Sequence, residues 1–306
     1  MANSLSPLAL PVIIDCGGCG NSIAKFNLVS YNLGGLDGQG RVLLSELCSE
    51  KFKLGVILLQ EHWLSPDRLT LLQNFDPSFS SFGISGMEEK LSMGILKGRP
   101  FGGAAILVHN SLLASTASLL ITERVNIISV CNTIVINAFF PSKEVSNRPI
   151  TLSLLREIGL VIEMFPGYDV LMGGDFNMDL REKSPLTNPV HDFIKKCNLK
   201  ICYDLIKPNC DYTFFRDALG QKTMIDFFLC SDSLKSRLVE HEMLDKLLNY
   251  SDHLPLFVSV NAVMNPVPSG RVSPPLPPPE ILFQQKGNFV GILLTLIIIV
   301  SSLLMR

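Results

Sequence analysis

Asp169-Val170-Leu171-Met172-Gly173-Gly174-Asp175-Phe176-Asn177 is the stretch on which the fold reading turns. Residues 169–173 read as a short apolar strand. It runs directly into two glycines, a carboxylate and an amide. Glycine lets backbone pass close to a neighbour, and the end of a strand is where catalytic groups are commonly presented. Upstream, Leu155, Ile158, Val161 and Ile162 recur at helical spacing within residues 152–165, and Pro166-Gly167 ends that helix.

The same pattern extends in both directions. Strands are expected at residues 26–31, 55–60, 104–109, 125–130, 134–140, 224–229 and 256–260. Helices are expected at 42–51, 68–74, 152–165, 189–197 and 233–238. Many strands with few, scattered helices point to an α/β chain with two packed sheets flanked by helices, not a regular alternation around one parallel sheet. Residues 80–99 read as a loop.

Composition bounds what such a chain can do. The chain has 306 residues, 47% hydrophobic and 18% charged, with ample apolar material for a packed core. Mean hydropathy is +0.33, high for a soluble enzyme. The net charge of −2 excludes a strongly basic nucleic-acid binder. Residues 25–262 form the expected globular domain. Omitting residues 262–306 leaves 23 basic and 27 acidic residues, a net charge of −4. Contact with an anionic polymer would therefore depend on a metal ion and a local groove, and be weak and salt-sensitive.

The ends differ from this domain. Residues 1–24 are expected to be a flexible lead-in with no secretory signal, because Pro7 and Pro11 break the apolar run and no basic segment precedes it. Cys16-Gly-Gly-Cys19 has metal or redox spacing but no second pair to complete a zinc site. Cys48, Cys131 and Cys230 sit in apolar surroundings and are expected to be buried thiols, which suits a reducing, cytosol-facing compartment. Residues 263–288 are a proline-rich linker, read as an extended spacer in preference to a peptide ligand. Residues 289–305 carry no charge and would span ~25 Å as a helix, near the ~30 Å of a hydrocarbon core. A C-terminal transmembrane anchor is expected there. It would place the chain on a cytosol-facing membrane; without insertion the chain would be cytoplasmic or nuclear. No protein partner is evident.

Five polar clusters fall beside expected strands: Ser30-Tyr31-Asn32, Gln60-Glu61-His62, Gly173 to Asn177, Ile225-Asp226 and Ser251-Asp252-His253. A single carboxylate at a strand end is most often a solvated cap. The ordered set suggests metal-assisted phosphodiester hydrolysis. Asn32, Glu61 and Asp252 offer hard oxygen ligands suited to Mg²⁺, with Mn²⁺ as an alternative. Asp175 would activate water or protonate the leaving oxygen, with Asn177 aligning it. His253 would contact the phosphate or move a proton, and Asp226 would hold its imidazole.

These residues, in this order, resemble the endonuclease/exonuclease/phosphatase superfamily over residues 25–260. Within it the chain is most similar to the endonuclease domain of non-LTR (LINE-type) retrotransposons, on Leu59-Gln60-Glu61-His62-Trp63-Leu64, Phe101-Gly102-Gly103-Ala104-Ala105-Ile106-Leu107-Val108 and residues 169–177. The resemblance implies a four-layered α/β sandwich, Mg²⁺ dependence, and nicking of a DNA substrate to leave a 3′-hydroxyl. It assigns metal binding to Asn32, Glu61 and Asp252. Phosphate and proton work fall to Asp175, Asn177, Asp226 and His253, and Thr213 matches a position near the scissile strand.

Two positions depart from the family pattern. Phe139 stands where relatives usually have Tyr, so one phosphate contact is lost; at ~1.5–3 kcal/mol that would slow catalysis roughly ten- to a hundredfold. Gly34 stands where relatives often carry Asp or Asn. The reverse transcriptase of a full retrotransposon protein is also missing from these residues. Two other readings therefore stand beside a DNA endonuclease: a membrane-associated, sphingomyelinase-like phospholipid phosphodiesterase, and a catalytically decayed fragment.

Overall fold

The computed structural model describes residues 13–14, 22–49, 51–94, 101–216 and 220–264. The expectations for residues 1–12, 15–21 and 265–306 lie outside these, including Cys16, Cys19, nearly all of the proline-rich linker and the whole 289–305 segment. Among the described residues no helix is long and apolar enough to cross a membrane.

Two mixed sheets carry the domain. The first runs Leu238–Met243, Leu256–Met264, Ser22–Asn32, Val56–Gln60, Ala104–His109, Phe79–Ile84 in space, with Ile13–Ile14 pairing Ser22–Asn32. The second runs Leu199–Ile201, Asp226–Ser231, Asp169–Asp175, Thr133–Phe139, Val125–Val130, Thr116–Ile121. Each contains one parallel pair at its centre: Ser22–Asn32 beside Val56–Gln60, and Thr133–Phe139 beside Asp169–Asp175. Parallel pairing needs a crossover, and the helices Gly38–Leu47 and Arg148–Met164 lie within those two connections.

Strand periodicity decides the layering. Leu28, Val56, Leu58, Ile106 and Val108 belong to one core with Val135, Met172 and Phe228 of the other sheet. Their alternate neighbours Val29, Ile57, Leu59 and Leu107 point the opposite way, into a second core closed by Leu43, Leu44 and Leu47 of the helix Gly38–Leu47. The central strands are thus apolar on both faces, which is why they read as continuous runs and not as alternations. Leu154, Leu155 and Ile158 of Arg148–Met164 are buried with the second sheet. Helix, sheet, sheet, helix is the four-layered arrangement the motifs implied. Each fully buried leucine contributes ~1.5–3 kcal/mol.

Several sequence expectations need correction. The 80–99 stretch is not a plain loop: Phe79–Ile84 is an edge strand against Ala104–His109, and Glu88–Ser92 is a short helix. Two serines and a glycine on a half-exposed edge weaken the apolar signal there. The expected helix 233–238 is only Asp232–Lys235, and Leu238–Met243 is another edge strand, masked by its glutamates and histidine. The expected helix 68–74 is split into a 3₁₀ turn at Pro66–Arg68 and an α turn at Thr70–Gln73. Cys230 is buried, but Cys48 and Cys131 are only half-buried.

Candidate active site

Adjacent strands of the second sheet place two carboxylates side by side. Asp226 is the register partner of Asp175, each at a strand end, and both are about 1% exposed. Asp226–Ser231 begins where Thr213 Oγ1 accepts the N–H groups of Ile225 (3.1 Å) and Asp226 (3.0 Å). Thr213 is fully buried, so in this geometry its hydroxyl fixes the strand that carries Asp226.

The glycines before Asp175 serve packing. A Cβ on Gly174 (φ +149°) would meet Ala138 O at 1.8 Å, and one on Gly173 would meet the Phe228 ring at 2.4 Å. The close approach foreseen for these residues is therefore to the two flanking strands of the same sheet.

The loop before Leu256–Met264 closes over these carboxylates. Ser251 Oγ donates to Asn32 O (2.8 Å) and accepts the N–H of His253 (3.1 Å), stitching the loop to the first sheet. Asn249, unnoticed in the sequence, donates to His253 O (2.5 Å) and accepts from Tyr31 Oη (2.7 Å). His253 Nδ1 then lies 2.9 Å from Asp226 Oδ2, and Nε2 lies 3.9 Å from Asp175 Oδ2. Leu254 N–H donates to Thr213 O and Phe215 N–H to Asp252 O, while the Phe214 ring packs edge-on to His253 at 5.0 Å.

Charge and burial set the protonation states. Burial, then the neighbouring Asp226 charge, pushes the Asp175 carboxyl up to about 7. For His253, burial pulls downward, but the Asp226 and Asp175 charges and the hydrogen bond outweigh it and raise the imidazole to about 10. The cleft thus holds a cationic imidazole beside a carboxyl poised near neutrality, a pairing typical of acid–base sites. Asn177 completes it: its N–H donates to Asp175 Oδ1 (2.7 Å), and its Nδ2 to Asp175 Oδ2 (3.1 Å) and Phe140 O (2.9 Å). Asn177 takes φ +52°, the left-handed conformation that asparagine adopts more readily than other non-glycine residues.

Asn32 and Glu61 form the opposite wall. Asn32 Nδ2 donates to Glu61 Oε1 (3.2 Å) and Asp175 Oδ2 (3.0 Å), while its Oδ1 accepts the N–H of Gly34 (3.1 Å). The amide thus turns its NH₂, not its carbonyl, toward the carboxylates. Asn32, Glu61, Asp175, Asn177, Asp252 and His253 all line one open cavity of about 810 Å³. Phe139 does not; its half-buried ring lies under the Arg124 guanidinium at 5.0 Å. Gln60 and His62 are fully buried, and they hold structure. Gln60 Nε2 donates to Asn137 Oδ1 (2.6 Å), and His62 Nε2 faces Ile84 O (3.1 Å) while Nδ1 accepts the N–H of Leu64 (3.1 Å).

The donor set suits a hard divalent cation. The cleft presents carboxylate and amide groups with no thiol. Asp175, Asp226 and His253 also bring ligand-type atoms within 4.8 Å of one another, a buried candidate cluster. In that cluster His253 Nδ1 is already engaged by Asp226; Glu61 and Asp252 line the same cavity, and the Asp252 side chain is 54% exposed.

A two-sheet sandwich with a carboxylate-lined cleft at its strand ends defines a deoxyribonuclease I-like α/β protein. The chain belongs to the endonuclease/exonuclease/phosphatase family, whose model matches residues 29–253. Solved structures share the fold. An AP endonuclease from Leishmania major is 14% identical, with a TM-score of 0.62, covering 78% of this chain and 88% of its own. A 3′ phosphatase from Neisseria, bound to a product DNA hairpin, is 15% identical with a TM-score of 0.59, covering 77% and 99%. The endonuclease domain of TRAS1, a telomere-specific non-LTR retrotransposon, is 16% identical with a TM-score of 0.58, covering 77% and 98%. Among curated proteins nothing matches.

Proposed function

We propose that this chain is a Mg²⁺-dependent phosphodiesterase that nicks DNA and leaves a 3′-hydroxyl, of the retrotransposon-endonuclease type. The observation that carries the reading is His253, held by the buried Asp226, beside Asp175–Asn177 in the lining of one open cleft. His253, held cationic by Asp226, would bind a non-bridging phosphate oxygen and neutralise charge as it builds. Asp175, lifted toward 7, would take the proton of the attacking water, with Asn177 fixing the carboxylate plane. Glu61 and Asp252 would hold the cation, which when bound supplies Lewis-acid stabilisation of the phosphate; Asn32, expected to offer an oxygen ligand, instead donates its NH₂ to Glu61 and so positions it. DNA as substrate is supported by the AP endonuclease, the retrotransposon endonuclease and the 3′ phosphatase bound to a DNA hairpin, all of which share the fold. With a net charge of −2, the chain would engage DNA through this cleft and not through bulk charge.

The test is a labelled duplex oligonucleotide, intact or carrying one abasic site, incubated with the chain and Mg²⁺. The reading expects cleaved strands that a DNA polymerase extends without prior phosphatase treatment. Products that need phosphatase treatment would contradict the 3′-hydroxyl. The same reading keeps residues 289–305 as a membrane-spanning segment, on their uncharged run alone. Sedimentation of the full chain with membranes, and not of residues 1–264, is the outcome that supports it.

A further inference from the structure

The strand Val56–Gln60 ends in an unusual turn. Glu61 and Trp63 both adopt left-handed backbone, at φ +53° and +54°. For non-glycine residues this is a sparsely populated conformation that surrounding bonds must impose. Here they do: Gly35 N–H donates to Glu61 O (2.9 Å), Leu36 N–H to His62 O (3.0 Å), and Trp63 N–H to Gly102 O (3.0 Å). The result is that Trp63 folds back beside Glu61. Its Nε1–H donates to Glu61 Oε2 at 3.0 Å. The indole lies flush on Gly35, where an added Cβ would come within 2.5 Å of the ring. Trp63 and Glu61 line the same cavity.

Glu61 is therefore gripped from two sides. Trp63 Nε1 holds Oε2 and Asn32 Nδ2 holds Oε1. Both donors are neutral, so neither cancels the carboxylate charge. Each fixes one oxygen, which removes rotamer freedom from a long side chain that a cation would otherwise have to order.

We infer that Trp63 is the residue that orients Glu61 for cation binding, and that its indole is a direct optical reporter of that event. The inference rests on the metal reading above and is separable from it. The full chain contains one tryptophan, so all indole emission arises at this contact. Binding of a cation to Glu61 would change the charge seen by the Nε1–H dipole, and Mn²⁺ would quench the ring at short range.

The experiment titrates the full chain with Mg²⁺ and with Mn²⁺, reading tryptophan emission, and measures free Mn²⁺ in parallel by electron paramagnetic resonance. The expected result is a saturable emission change that tracks Mn²⁺ binding and disappears in Glu61→Gln. Trp63→Phe keeps most of the ring packing on Gly35 but removes the N–H. It should weaken Mn²⁺ binding about tenfold, as loss of a ligand's outer hydrogen bond commonly does. Mn²⁺ affinity unchanged in Trp63→Phe, or bound Mn²⁺ with no emission change in the unmutated chain, would overturn this inference and leave the metal reading intact. No Mn²⁺ binding by the unmutated chain would overturn both. The emission arm needs no Trp63 variant, so it decides the reporter role even where Trp63→Phe does not fold; Trp63→His, which keeps a ring N–H donor, and Trp63→Leu, which keeps none, then decide the orienting role by the same Mn²⁺ affinity comparison, equal affinities overturning it.

Discussion

His253 Nδ1 and Asp226 Oδ2 lie 2.9 Å apart in a buried pair, and Asp226 also stands opposite Asp175 in the strand register. One carboxylate therefore acts on both titrating partners. Its charge raises Asp175 as well as His253.

That double influence predicts how Asp226→Asn behaves. In the proposed mechanism activity needs Asp175 ionised and His253 protonated, so it should rise as pH passes the Asp175 value and fall as pH passes the His253 value. These stand at about 7 and about 10 before a cation acts. Removing the Asp226 charge lowers both, so the whole bell-shaped profile should move to lower pH. The rate at the optimum should fall roughly 10²- to 10⁴-fold. A profile of nicking rate against pH for the two proteins checks this; an unshifted alkaline limb would refute the coupling.

A second prediction concerns His62. Burial pulls this imidazole down to about 4 from its ordinary 6.5, with the Ile84 carbonyl opposing. The unfolded chain thus takes up a proton near 6.5 that the folded chain refuses until about 4. Stability should be lost as pH falls through that window, on the order of 3 kcal/mol over its full width. Urea unfolding of the wild type between pH 7 and 4 measures the slope, and His62→Gln should flatten it.

Gly103 meets the same ring. At φ +86° it presses against His62, and a Cβ there would come within 2.4 Å of the imidazole. Gly103→Ala should lose about 2–4 kcal/mol through backbone strain and overpacking. A lowered denaturation midpoint with an unchanged m-value is the expected signature.

Asn137 is a polar bolt between the sheets. It is fully buried, donates to Leu59 O (2.9 Å) and Ala105 O (3.0 Å), and accepts from Gln60 (2.6 Å). Asn137→Leu leaves the Gln60 amide without that acceptor. It should cost about 2–4 kcal/mol, with the metal affinity of the folded protein unchanged. Thermal unfolding and Mn²⁺ binding on the same sample separate the two.

Much of the site was readable because its residues sit at strand ends in local motifs. Asp175-Phe176-Asn177 and Ser251-Asp252-His253 each place two functional side chains within three residues, and their apolar strands announced themselves. What stayed hidden was long-range. Asn249, Ser251 and Tyr31 work by hydrogen bonds to residues distant in sequence, and nothing in their spacing reveals such pairings. In the Gln60-Glu61-His62 cluster only Glu61, the residue given a role from the sequence, reaches the cleft. Gln60 and His62 are buried on either side of it, at a left-handed turn that the sequence does not announce. Trp63 was visible as a motif residue; its bond to Glu61 required the same turn. Edge strands escaped because half-exposed strands carry serine, glutamate and glycine on their open faces.

The central claim is that the Asp175 cleft hydrolyses DNA phosphodiesters. Relaxation of supercoiled plasmid by the full chain with Mg²⁺ tests it most directly, with Asp175→Asn as the paired control. The account predicts open-circular product from the unmutated protein and none from Asp175→Asn, both samples being equally folded. Equal nicking by both, or no nicking by the folded unmutated chain with Mg²⁺ or Mn²⁺ from pH 6 to 10, would contradict it.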